Sequence, residues 1–122
     1  MLKEDYCSQE VGKLLTEKGF DFGMAGKIAK EENYELGYPT CTHQMALKWL
    51  RDEHKIFICM DVDANEDDNK IAYYPDIWFI YKTDDGEEEL ARSLKNPCPP
   101  FGYEEYSDAV DASILFALEN LI

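Results

Sequence analysis

The sequence predicts an α+β domain, with helices packed on one face of a three-stranded antiparallel meander. Three observations lead there. Apolar residues recur at helical spacing near the N-terminus, across residues 40–54 and at the C-terminus. Between Ile56 and Lys82 the period changes to two. The pair Asp85-Gly86 then supplies a hairpin turn between further strand-like residues. The element order is helix, mixed segment, helix, three strands, helix, in a single domain spanning 1–122.

The first helix lies in SQEVGKLLTEKGF. Ser8 suits its N-cap, because a hydroxyl can accept an orphan N–H of the first turn. Val11, Leu14, Leu15 and Lys18 follow one stripe, and Gly19 supplies the left-handed position after the last turn, with Phe20 folding back. Residues 21–38 are mixed: MAGKIAKEE suits a short helix and NYELGYP a turn-rich linker. Pro39 marks the start of a central amphipathic helix in TCTHQMALKWLRDEH, capped by Thr40 or Thr42. Thr42, Met45, Ala46, Trp49 and Leu50 share its inner face, with Lys48, Arg51 and Asp52 outward.

After His54, Ile56, Ile58, Met60 and Val62 point one way while Phe57, Cys59, Asp61 and Asp63 point the other. The second strand is DIWFIYKT, and Pro75 just before it reads as a strand start or an edge. EEELARSL makes the third strand, and three prolines and a glycine make KNPCPPFGYEE a loop. SDAVDASILFALENLI closes the chain as a helix capped by Ser107, with Asp108 and Asp111 near its positive end. Its apolar residues wrap most of the way round, which requires deep packing or a partner.

Charge narrows the function. The formal net charge is −14, and it is uneven: residues 61–122 carry 16 acidic and 4 basic side chains, against 10 and 8 in residues 1–60. Such a half repels phosphate backbones and anionic lipid, so nucleic acid and membranes are not expected partners. The opening MLKEDYCSQE lacks the apolar core of a secretory signal, and IWFI at 77–80 is far too short to span a bilayer. The expectation is a cytoplasmic protein in which Cys7, Cys41, Cys59 and Cys98 are free, buried or half-buried thiols.

Candidate chemistry is sparse. DVDANEDDNKIA, from Asp61 to Ala72, opens with the Asp-x-Asp-x-Asn rhythm of a helix-loop-helix calcium site. Asp61, Asp63, Asn65, Asp67 and Asn69 fill the first five alternate ligand positions. However, Glu66 replaces the turn glycine, Asp68 the apolar residue and Ala72 the bidentate glutamate. Its flanks read as strands, so an acidic hairpin loop is expected, with at most weak cation binding. Cys41 and His43 could form a nucleophile and base at a helix start, where the dipole favours thiolate. Positions i and i+2 diverge on a helix, however, and no orienting carboxylate is evident. Metal binding by Cys41, His43, His54, Cys59 or Cys98 lacks paired spacing. Catalytic, cofactor and metal residues are therefore expected to be none.

SQEVGKLL resembles the first helix of excisionase-type winged helix-turn-helix proteins, and the order from Thr40 onward matches the double-stranded-RNA-binding fold. That fold grips phosphates with lysines at its last helix, where this chain has EEYSDAVD. A broader resemblance rests on EVGKLLTEKGF, PTCTHQMALKWLRDEHKI, IWFIY and YSDAVDASILFALENLI. Pro39, Thr40, Met45, Trp49, Leu50 and Arg51, with Tyr106 and Asp108 at the last helix, resemble a family of small uncharacterised proteins of gut Bacteroidetes and their phages or mobile elements. The resemblance implies the fold and a mobile-element setting, and no activity.

The leading expectation is a non-catalytic protein-interaction module. Its surfaces would be the aromatic sheet face around Trp78 and Tyr81 and the excess apolar face of the last helix, either of which would also serve a homodimer. The alternative is an acidic decoy that occupies a basic protein by imitating nucleic-acid charge. The third reading is a small metal- or thiol-dependent enzyme using Cys41 and His43 or the Asp61 loop.

Overall fold

The computed structural model describes residues 5–64, 66 and 69–122. Among them, the elements run α1 (Gln9–Glu17), α2 (Met24–Glu31), α3 (His43–His54), β1 (Ile56–Ala64), β2 (Ile71–Lys82), β3 (Glu88–Arg92) and α4 (Tyr106–Asn120). The strands form one antiparallel sheet in the order β1-β2-β3. This is the expected α+β meander with the C-terminal helix on the sheet. No helix among the described residues is long and apolar enough to cross a membrane.

The helix ends follow local chemistry. Ser8 Oγ accepts from the Val11 N–H, as its hydroxyl suggests. At the other end, Phe20 N–H reaches the Leu15 carbonyl at 2.9 Å and Gly19 N–H the Thr16 carbonyl at 3.2 Å. With Gly19 at φ +92°, these two bonds make a Schellman motif. Thr42 is the cap of α3, accepting from Met45 N–H at 3.2 Å. Thr40, its rival, donates its hydroxyl to the Cys7 carbonyl at 2.7 Å.

The mixed segment is a real helix with no buried residue, followed by turns in which Asn33 and Tyr34 take positive φ. Gln9 clamps its far end. Its side-chain amide donates to the Tyr38 carbonyl and accepts from the Tyr38 N–H, imitating a strand partner at 3.0 and 2.9 Å.

Three local expectations are corrected. Met45 is 54% exposed, because α3 turns His43, Ala46 and Leu50 inward instead. α4 begins at Tyr106, with Glu105 rather than Ser107 at its N-cap and no side-chain capping bond. Pro75 is neither start nor edge: it is buried within the central strand, opposite Met60. The register explains why it is tolerated. Tyr73 N–H and the Ile77 carbonyl both point away from β1, to Tyr103 and Ser93 respectively. The Pro75 nitrogen faces the same side, between those two, where β3 has already ended. No ladder bond is lost there.

The core lies between the helices and one face of the sheet. Val11, Leu15, Ala46, Leu50, Ile56 and Ile77 share it with Val110, Ile114 and Leu118 of α4. Leu115, Phe116 and Leu121 pack against the same cluster. Much of the wide apolar surface of α4 is thus spent inside the molecule, while Tyr106 at its start is 51% exposed.

Candidate functional site

Short backbone pairing places the first cluster. The segment before α1 lies antiparallel to the segment before α3, with a bridge between Tyr6 and Thr42. Cys7 N–H donates to the Cys41 carbonyl and His43 N–H to the Asp5 carbonyl, both at 2.9 Å. This sets the two thiols side by side, 5% and 4% exposed. It also aims His43, the first residue of α3, at α4. There His43 Nε2 lies 3.1 Å from Asp111 Oδ1, which also accepts the Ser8 N–H at 2.9 Å. One ligand atom each from Cys7, His43 and Asp111 falls within 4.8 Å of the others.

Burial pushes the Asp111 carboxyl up, but the hydrogen bonds from His43 and Ser8 outweigh it and hold the group below the ordinary carboxylate range. Cys7 and Cys41 share a hydrogen bond. Together with burial, that bond holds the Cys7 thiol well above its ordinary value. The same bond lowers Cys41, so the pair resists losing its second proton. His43 and Asp111 line a surface pocket of about 210 Å³ with Asp5, Tyr6, Ser8 and Ser107.

The two residues singled out from the sequence are therefore both here, with different partners. Cys41 goes to Cys7 and His43 to Asp111. The orienting carboxylate that the sequence did not reveal is Asp111, and the second thiol is Cys7. They stand 68 residues beyond His43 and 34 residues before Cys41, so no spacing rule could have linked them. His54 stands apart, edge-on to Trp49 at 4.5 Å between ring centres. Cys59 is exposed on the sheet and Cys98 half-buried in the following loop, where burial raises its thiol. All four thiols are free. Asp61 and Asp63 belong to β1 and are exposed, while Asn65, Asp67 and Asp68 of the acidic stretch lie outside the described residues.

The sheet carries a second candidate surface. Ile56, Ile58, Ile77 and Phe79 face the core. By alternation, Phe57, Trp78, Ile80 and Leu90 face the other way, with Phe57 opposite Trp78 and Ile80 opposite Leu90. None of these four belongs to the core cluster, and Leu90 is 59% exposed. Trp78 is held on both sides: its Nε1 donates to Asp76 at 3.2 Å, and Arg92 lies 6.0 Å over its ring. Arg92 in turn bonds Asp76 at 2.6 Å. Tyr81 is on the opposite face from Trp78, three residues on, and donates its hydroxyl to Glu89 at 2.8 Å. The aromatic face is thus centred on Phe57 and Trp78, without Tyr81.

Fold and surfaces define a small acidic α+β protein with a buried thiol–imidazole–carboxylate cluster and one open sheet face. No family model, no curated protein and no solved structure matches the chain.

Proposed function

We propose that the chain is a non-catalytic interaction protein that holds a partner protein against the open face of its sheet. The observation that carries this is the row Phe57, Trp78, Ile80 and Leu90, set on the face away from the core with Trp78 braced by Asp76 and Arg92. Tryptophan and arginine are enriched among the few residues that carry most of the binding energy at protein interfaces, and a side chain already fixed loses little entropy on docking.

Charge selects the occupant. A second copy would bring the same −14 to the contact, whereas a protein with an apolar centre and a basic rim would be attracted. A nucleic-acid decoy would need an unbroken acidic stripe. On this face Asp61, Asp63 and Asp76 sit toward one end and Glu88 at the other, with the apolar rows between and Asp76 paired to Arg92. The contact reading is better supported. The resemblance to mobile-element proteins supports such an origin, and four free thiols suit the cytoplasm.

Affinity capture from a lysate of the source organism, with unmodified, Leu90→Glu and Leu36→Glu baits, tests it. A basic partner is expected on the unmodified and Leu36→Glu baits and is lost on Leu90→Glu. Equal recovery on all three, or a dimer of the chain alone by light scattering, would refute it.

A further inference from the structure

The sheet face leaves the buried cluster unused, and its chemistry is distinctive. It brings a thiol, an imidazole and a carboxylate from three remote segments to one point. We propose that Cys7, His43 and Asp111 bind a single zinc ion, whose fourth position opens to the pocket beside Ser8 and Ser107.

The donor set argues for zinc. Thiolate sulfur does not suit the hard cations calcium and magnesium, while a mixed sulfur, nitrogen and oxygen set in a tetrahedron suits zinc. Zinc–ligand bonds of about 2.0–2.3 Å place neighbouring ligand atoms roughly 3.3–3.8 Å apart in a tetrahedron. Here all three atoms already lie within 4.8 Å, and His43 Nε2 and Asp111 Oδ1 are 3.1 Å apart. Small side-chain rotations complete the site.

The surroundings also fit. Ligands are oriented by what holds them from behind. The Ser8 N–H holds the Asp111 carboxylate, and backbone bonds from Cys7 to Cys41 and from His43 to Asp5 hold the other two segments. The surface pocket lined by His43 and Asp111 is the way in for the ion, and Cys7 is the buried vertex. Among the described residues no buried side-chain nitrogen or oxygen lacks a partner. The cluster is therefore satisfied without metal, and the chain is expected to fold before it binds. On binding, the Cys7 S–H bond breaks and its proton goes to solvent; the Nε2–H that His43 donates to Asp111 is exchanged through solvent for a proton on Nδ1, and the freed lone pairs of the sulfur and Nε2, with the Asp111 carboxylate oxygen, form the bonds to zinc.

The test uses the full chain stripped with a chelator. Calorimetry is expected to show one equivalent of zinc. Cobalt(II) is expected to give the intense visible bands of tetrahedral coordination and a near-ultraviolet thiolate-to-cobalt band. Cys7→Ser, His43→Ala and Asp111→Asn should each weaken zinc by about a hundredfold or more, while Cys59→Ser and Cys98→Ser leave it unchanged. Absence of the thiolate band, or one equivalent retained by all three ligand variants, would overturn the assignment; in the latter case the ion sits elsewhere, for instance in the acidic stretch from Asp61. The cobalt spectrum needs no substitution, so a Cys7→Ser chain that fails to fold leaves the test standing.

Discussion

Two glycines sit inside helices, and the structure separates them sharply. A Cβ built on Gly12 of α1 would stand 2.5 Å from the Pro39 carbonyl oxygen, about half an ångström inside the closest approach real side chains tolerate. One on Gly26 of α2 would meet only the Phe22 Cβ, at 3.3 Å. On helix propensity alone, Gly→Ala gains about 1 kcal/mol at either site. At Gly12 the opposing atom is backbone, fixed through its neighbour Thr40 to the Cys7 carbonyl, so overpacking at the upper end of its usual range, about 2–3 kcal/mol, is added. The cost wins there, and Gly12→Ala is expected to lose roughly 1–2 kcal/mol net. At Gly26 the atom that must move by a few tenths of an ångström is the Phe22 Cβ, carried by the non-helical segment before α2, so Gly26→Ala is expected to keep part of the propensity gain, less than about 1 kcal/mol. Urea titration followed by far-ultraviolet circular dichroism reads both. For a loss of that size the midpoint should fall by about 0.5–1 M with an unchanged slope. A Gly12→Ala chain as stable as Gly26→Ala would show that the Pro39 segment yields freely and that the tight approach is not a constraint.

Other outcomes follow from single contacts. Asp111→Asn should flatten the acid limb of the stability curve. The folded pKa of Asp111 is depressed, so its contribution is present above its unfolded value near about 3.9 and lost as pH falls through the lower folded value; an unchanged limb on acid titration would rule this out. Thr42→Ala should cost about 1 kcal/mol by removing the α3 cap, with the Met45 amide becoming the fastest-exchanging of that turn by NMR. Leu118→Ala, at a fully buried site, should cost about 2–5 kcal/mol, whereas Leu94→Ala, fully exposed, should stay within about 0.5 kcal/mol in the same melt.

The readable parts of this fold are those whose cause is local. Ser8, Gly19 and Phe20 carry a complete helix start and stop within thirteen residues, and the structure makes every bond they imply. The alternation from Ile56 sorts core from surface along β1 until Val62, where the strand outruns the helices and even the inward parity is exposed. Pro75 misleads because its meaning depends on where β3 stops, a fact of register held at Arg92, in another strand. Met45 misleads for a related reason: which side of α3 turns inward is decided by the sheet and α4, with His43 taking the place a hydrophobic residue would be given on pattern alone.

The buried cluster shows the same limit in its strongest form. Read locally, Asp111 is one of two acids at a helix start, where the dipole is explanation enough. Only the packing of α4 against α1 brings it under the Ser8 amide and beside His43. Cys7, likewise, is an ordinary thiol until the Tyr6–Thr42 bridge lays it against Cys41. That bridge is itself held by Thr40, Pro39 and the close approach of Gly12. The most demanding steric contact in α1 therefore supports the segment that carries two of the cluster's four polar residues. Gly12→Ala should accordingly disturb the environments of Cys7 and His43 as well as lower stability, while Gly26→Ala should leave both alone. Amide chemical shifts at residues 7 and 43 that move in the first variant and not in the second would tie the close approach at Gly12 to the cluster of Cys7, His43 and Asp111.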